Sequence, residues 1–139
     1  MAYAGGTEAV NMDLKTSTTV AGAGMCLVND STNNTVDLSA DGEICIGISA
    51  DESSRDAAGT LEASSATVSM YPLGGVLLVQ AEASQTFTTG LLVYVGDGGQ
   101  VIDSNDHSSK ILGIYVGSGA ASTTAGDLIP VMTAGAATA

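Results

Sequence analysis

The single histidine, His107, lies in Asp103-Ser104-Asn105-Asp106-His107-Ser108, a run that holds the residue types of a Ser/His/Asp relay. Such a relay needs a base fixed against an activated nucleophile. A polar run without apolar anchors gives no such hold, so His107 reads as a solvated loop residue. The two cysteines, Cys26 and Cys45, have no second pair and one distant histidine, which is not a zinc site. They could form a disulfide if their strands are neighbours, because pairing depends on Cα separation. Asp30 with Asp37, or Asp103 with Asp106, could offer oxygens to Ca²⁺, the latter as a weak ion site in the 103–109 loop. A calcium loop needs regularly spaced acids, a central glycine and a closing glutamate, and neither segment has them. Gly96-Asp97-Gly98-Gly99 precedes a strand-like run and no Lys-Ser/Thr follows, so it reads as a hairpin turn rather than a phosphate cradle. Arg55, flanked by Glu52 and Asp56, reads as a local ion pair. No catalytic, cofactor-binding or metal residue is assigned, no cofactor is implied, and the chain is not expected to be an enzyme.

Composition narrows the classes further. Fifteen carboxylates face only Lys15, Arg55 and Lys110 in 139 residues, a formal charge of −12. Phosphate binding needs clustered cations, so no nucleic-acid partner is expected. The same balance opposes an anionic membrane surface, and no run approaches the ~20 apolar residues of a membrane span. The N-terminus lacks a basic region followed by an apolar run, so no signal peptide is expected. The sequons at Asn29 and Asn33 then read as chance matches. The core must come from Val, Ile, Leu, Met and Ala, because there is one Phe, Phe87, with four Tyr and no Trp. Few large anchors imply modest stability alone and help from self-association or a partner.

The elements that would position any site come from a repeat. Ile44-Cys45-Ile46-Gly47-Ile48 returns as Ile111-Leu112-Gly113-Ile114, with the glycines 66 positions apart. The same offset carries Gly24 to Gly90, Met25 to Leu91, Cys26 to Leu92 and Leu27 to Val93. Shared glycine and apolar positions over that span predict one β unit used twice. The equivalence of Cys26 and Cys45 with Leu92 and Ile111 argues that each thiol is a small buried apolar group. Short strands are expected at 25–29, 35–38, 43–50, 67–71, 76–79, 91–95, 100–102, 110–116 and 127–132. Polar or glycine-rich turns separate them, with one possible helical turn through Ser53 to Ala58. The continuous run Val76-Leu77-Leu78-Val79 suggests a strand buried on both faces, and Pro130 an edge or an unpaired N–H. The expected class is all-β, a compact antiparallel barrel or sandwich of two tandem repeats. Its divisions are an N-terminal arm (1–17), a body (18–132, pseudo-repeats about 18–71 and 84–132) and a flexible tail (133–139). In the arm, Val10, Met12 and Leu14 alternate with polar residues, which fits either a strand or a frayed terminus.

The residues also carry a resemblance. The pattern is Gly90-Leu91-Leu92-Val93-Tyr94-Val95 before a glycine-rich turn, then Leu112-Gly113-Ile114, then Ala125-Gly126-Asp127-Leu128-Ile129-Pro130-Val131. The first half gives Ile46-Gly47-Ile48-Ser49-Ala50 and Ala58-Gly59-Thr60-Leu61. Over residues 18 to 132 the chain resembles the small capsid cement, or decoration, proteins of tailed bacteriophages. It departs from them in the acidic loop at 51 to 56 and in the extra N-terminal segment. The resemblance implies a virion protein on the outer capsid surface, often a homotrimer, that binds junctions of the major capsid protein and stabilises the shell. The N-terminal segment, with Tyr3, Val10, Met12, Leu14 and Lys15, is the expected capsid contact, because a strand there could add to a sheet edge. Another virion component associated with tail or fibre, or a carbohydrate-binding β module, is the alternative. The latter would usually display Trp or Tyr platforms.

Overall fold

The computed structural model of the chain describes residues 8–30, 34–104 and 109–133. Its strands are β1 (Val10–Asp13), β2 (Cys26–Asp30), β3 (Thr35–Leu38), β4 (Cys45–Ser49) and β5 (Thr67–Pro72), then β6 (Gly75–Gln80), β7 (Leu92–Val95), β8 (Val101–Ile102), β9 (Ile111–Tyr115) and β10 (Leu128–Thr133). They form two five-stranded antiparallel sheets, ordered β1-β5-β4-β2-β3 and β6-β10-β9-β7-β8. The chain is all-β, with the two sheets packed together.

The two orders are one order used twice. Cys26 pairs with Ile48, Leu27 with Gly47 and Val28 with Cys45. At an offset of 66, Leu92 pairs with Ile114, Val93 with Gly113 and Tyr94 with Ile111. Both ladders shift register at the same step, which leaves Ile46 and Leu112 as the extra residues of matching bulges. The repeated glycines also allow close approach. A Cβ on Gly47 would collide with the Met70 side chain, and one on Gly113 with the backbone of Met132.

Symmetry extends to every strand. Gly47 pairs with Pro72 as Gly113 pairs with Thr133, so the offset drops to 61 after the shorter second loop. β1 lies against β5 as β6 lies against β10. The segment read as an arm therefore supplies a sheet strand at residues 10–13. Each sheet curls until its first and third strands meet through one parallel bridge, Leu14 to Val36 and Ala81 to Val101.

Neighbouring side chains on a strand point to opposite faces, and this explains how the units join. Leu27 of β2 packs with Leu14, Val20, Val36, Val68 and Met70 in the first core cluster. Cys26, one residue earlier, joins Cys45 and Ile48 in the second cluster, among Val79, Val93, Leu112 and Val131. The first sheet thus buries both faces, one of them against the second unit.

Three local expectations are corrected. The Val76-to-Val79 run is buried on one face only: Leu77 and Val79 are covered while Leu78 is 46% exposed. No helical turn forms at 53–58. The Asp56 carboxylate accepts the N–H groups of Ala58 and Thr60 at 2.9 and 3.0 Å and bends the segment into a turn. Of the two readings of Pro130 only the edge is overturned, since it lies between two strands, at a position where no N–H is needed. It is tolerated because its missing donor faces the end of β9, where the Val116 N–H reaches its carbonyl at 3.1 Å.

Candidate interaction surface

The carboxylates weighed as metal ligands brace the fold. Asp30 accepts the Thr35 hydroxyl at 3.0 Å. Asp37 accepts the Thr18 hydroxyl and the Leu38 N–H, both at 2.8 Å. Asp103 accepts the Thr86 N–H at 2.6 Å. Asp106 and His107 lie outside the described residues. Among the described residues no group of three or more His, Cys, Asp and Glu could hold a metal ion. Arg55 makes a two-pronged ion pair with Glu52 at 2.7 and 2.8 Å, which holds the Glu52 carboxyl below its ordinary value.

Cys26 and Cys45 are free and buried where the units meet. A hydrogen bond between the thiols, reinforced by burial, pushes the Cys26 thiol well above its ordinary value. The Cys45 thiol donates to the Gly47 carbonyl at 3.2 Å. Cysteines packed this way behave as small hydrophobes with weak donors.

The Gly96–Gly99 segment is a hairpin turn containing a short 3-10 turn, with left-handed φ of 65° and 79° at Gly98 and Gly99. It also clamps the units together. The buried Ser39 hydroxyl donates to the Gly96 carbonyl at 2.9 Å, and the Asp41 N–H donates to Asp97 Oδ1 at 2.9 Å. A hydroxyl bonding a distant carbonyl leaves no pattern in sequence, so this junction was not foreseen. Beside it, partial burial raises the Glu82 carboxyl above its ordinary value, and the charges of Asp41 and Asp97 add to the rise. Below the ordinary carboxylate range Glu82 is protonated in both states and contributes nothing. As pH climbs through its folded value the folded state carries an unfavourable charge, so stability falls. Glu82→Gln keeps the acceptor for the Asp97 N–H and removes that charge. The variant should gain less than about 1 kcal/mol near neutral pH and nothing below about pH 4. Paired urea titrations of the two proteins across that range would check it.

Of the N-terminal residues expected to contact a capsid, Tyr3 lies outside the described residues. Val10 and Met12 belong to β1, and Val10 is exposed. Leu14 is 4% exposed and belongs to the first core cluster. Lys15 pairs with Asp37 at 3.5 Å, so its charge is engaged within the chain. β1 is the outermost strand of its sheet, which leaves Val10, Asn11 and Asp13 at a sheet edge.

A second surface was not anticipated. On the outer side of the second sheet, register aligns Val76, Met132, Ile114 and Leu92 in one row across four strands. Leu78 and Pro130 begin a second row beside Val116. Leu78, Leu92, Val116, Leu128 and Met132 are all exposed there. Contiguous apolar faces are where proteins commonly meet partners, which makes this one a candidate contact surface on a chain of net charge −12.

No protein-family model matches the chain, and no curated protein sequence matches it. Its fold is similar to a solved structure, the head fiber gp8.5 N base of bacteriophage phi29, with a TM-score of 0.62. The match covers 93% of this chain and 97% of that one at 17% sequence identity. At that identity the likeness establishes a common fold carried from end to end of both chains.

Proposed function

We propose that this chain is a structural protein of a bacteriophage virion, borne on the outside of the head. The observation that carries this reading is the end-to-end structural likeness to a phage head fiber base. The acidic, rigid β body with an exposed sheet edge and an apolar face supports it. A protein that grips a shell needs shaped edges and many copies rather than a reaction centre, and repeated weak contacts then add through multivalency.

Within that reading, the chain acts as a cement protein. It binds at junctions of the major capsid protein as a homotrimer and stiffens the shell. A second reading, the base of a fibre rising from the head, is favoured by the identity of the similar structure. The experiment is to add purified chain to expanded heads that lack it and measure co-sedimentation and heat resistance. Saturable binding across the lattice with a raised disruption temperature is the cement outcome. Binding at a small subset of positions without added heat resistance is the fibre-base outcome. No binding to heads under any condition would defeat both.

A further inference from the structure

The outer face of the second sheet is the counterpart of a face that the first sheet buries. Leu92 and Ile114 correspond to Cys26 and Ile48 in the matching ladders. Met132, paired with Ile114, corresponds to Tyr71, paired with Ile48. Cys26 is 0% exposed against 40% for its counterpart Leu92, and Ile48 is buried where its counterpart Ile114 is half-buried. The difference is what lies on top. In the first unit the cover is β6: Leu77 and Leu78 line one cavity with Ile48, Ser49 and Tyr71. The Gln80 backbone N–H donates to the Gly24 carbonyl at 2.7 Å, and its side-chain amide donates to the Ala23 carbonyl at 2.9 Å.

Gly24 and Gly90 record the same contrast at one point. Both have left-handed φ, 91° and 85°. Both donate at 2.9 Å to the last residue of a neighbouring strand, Gly24 to the Ser49 carbonyl of β4 and Gly90 to the Tyr115 carbonyl of β9. A Cβ on Gly24 would meet the Leu128 side chain and lie 3.2 Å from the Leu78 carbonyl, while a Cβ on Gly90 would meet nothing within 4 Å. The docking place is built twice and filled once.

The chain also carries a second copy of the element that fills it. β6 and β1 hold the same place in their sheets. By register against β5 and β10, Val10 corresponds to Leu77, Asn11 to Leu78 and Asp13 to Gln80. Leu77 is 1% exposed at the junction, whereas Val10 is 44% exposed. We propose that a second copy of this chain lays its β1 edge on the outer face of the second sheet. This repeats between chains the contact that β6 makes within one. The Asp13 N–H would then serve the Gly90 carbonyl as Gln80 serves Gly24, and Val10 would cover Leu92 and Ile114. Both apolar rows lack Asp, Glu, Lys and Arg, so strongly acidic copies meet there without setting carboxylates against each other. The contact is head-to-tail and closes as a ring or runs on as a chain. It rests on the intrachain junction and not on the assignment to a phage head.

The test uses the purified full chain without heads. Native mass spectrometry and sedimentation should find oligomers whose population rises with concentration. Val10→Glu and Leu92→Glu should each weaken association at least about tenfold. An equimolar mixture of the two should give a 1:1 heterodimer, because each variant retains the surface the other lacks. In the wild type, hydrogen exchange at residues 10–14 and 89–92 should slow as concentration rises, a readout that needs no variant to fold. A chain that stays monomeric to its solubility limit would overturn the proposal. So would oligomers indifferent to both substitutions, or exchange protection confined to other residues. Head binding by a strictly monomeric chain would sink this contact and leave the virion reading standing.

Discussion

Gly113→Ala is expected to abolish stable folding. Gly113 pairs with Val93 on one side and Thr133 on the other, and it is buried. An added Cβ would strike the Met132 carbonyl group and lie 3.0 Å from the Thr133 Cα. These are backbone atoms of a central strand, so no side chain can swing aside. The backbone at Gly113 is not left-handed, so the cost is one of space alone. Relief requires β9 and β10 to part, and that opens the core at Leu112, Ile129 and Val131. A loss on the order of 4 kcal/mol or more is expected, against total stabilities of about 5–15 kcal/mol. Gly47→Ala should cost less, about 1–3 kcal/mol, since the Met70 side chain is flexible even though the Tyr71 carbonyl lies 2.8 Å away. Gly22→Ala is the control. Its nearest neighbour is Gln80 Nε2 at 3.9 Å and its backbone is not left-handed, so the change should stay within about 0.5 kcal/mol. Thermal and urea unfolding of the three variants gives the ranking directly.

Deleting residues 1–16 is expected to unfold the first unit, whereas deleting residues 1–7 is expected to leave it intact. The longer deletion removes all of β1 and with it the four register pairings that β5 makes to that strand. It also removes Leu14, whose N–H donates to the Ala66 carbonyl at 2.9 Å and whose side chain is buried. Losing a buried leucine costs about 2–5 kcal/mol by itself. The bridge that closes the first sheet, Leu14 to Val36, goes with it. Circular dichroism and unfolding midpoints should therefore separate the two truncations. The shorter one then becomes the clean probe of the N-terminus in head binding, because it takes away Tyr3 without touching β1. Head binding that survives this truncation would move the attachment to the β1 edge or to the outer face of the second sheet.

The sequence carried the repeated strand clearly. The Gly47 and Gly113 motifs and the offset of 66 correspond to matching ladders with matching bulges. The wider symmetry was harder to read because it is not gapless. The offset is 67 at β1 and β6 and falls to 61 at β5 and β10, so a constant-offset comparison passes over both pairs. Cys26 and Leu92 show a second limit. They hold equivalent positions, and sequence implied the same burial for both. Burial depends on what covers a face, and only the first copy is covered within the chain. The run at Val76 misled for the same reason: an apolar face left open reads in sequence like one buried in the core. The clamp from Ser39 to Gly96 was illegible because its acceptor is a backbone carbonyl 57 residues away.

The proposed role is tested by looking for this polypeptide in purified bacteriophage particles and counting its copies. Quantitative mass spectrometry would give its ratio to the major capsid protein, and cryo-electron microscopy its position. A fixed ratio is expected, with β-rich density of this size on the outer surface of the head, over the whole lattice for a cement or at fibre positions for a base. Particles in which the polypeptide is missing, or occurs only on tails, would contradict the proposed role.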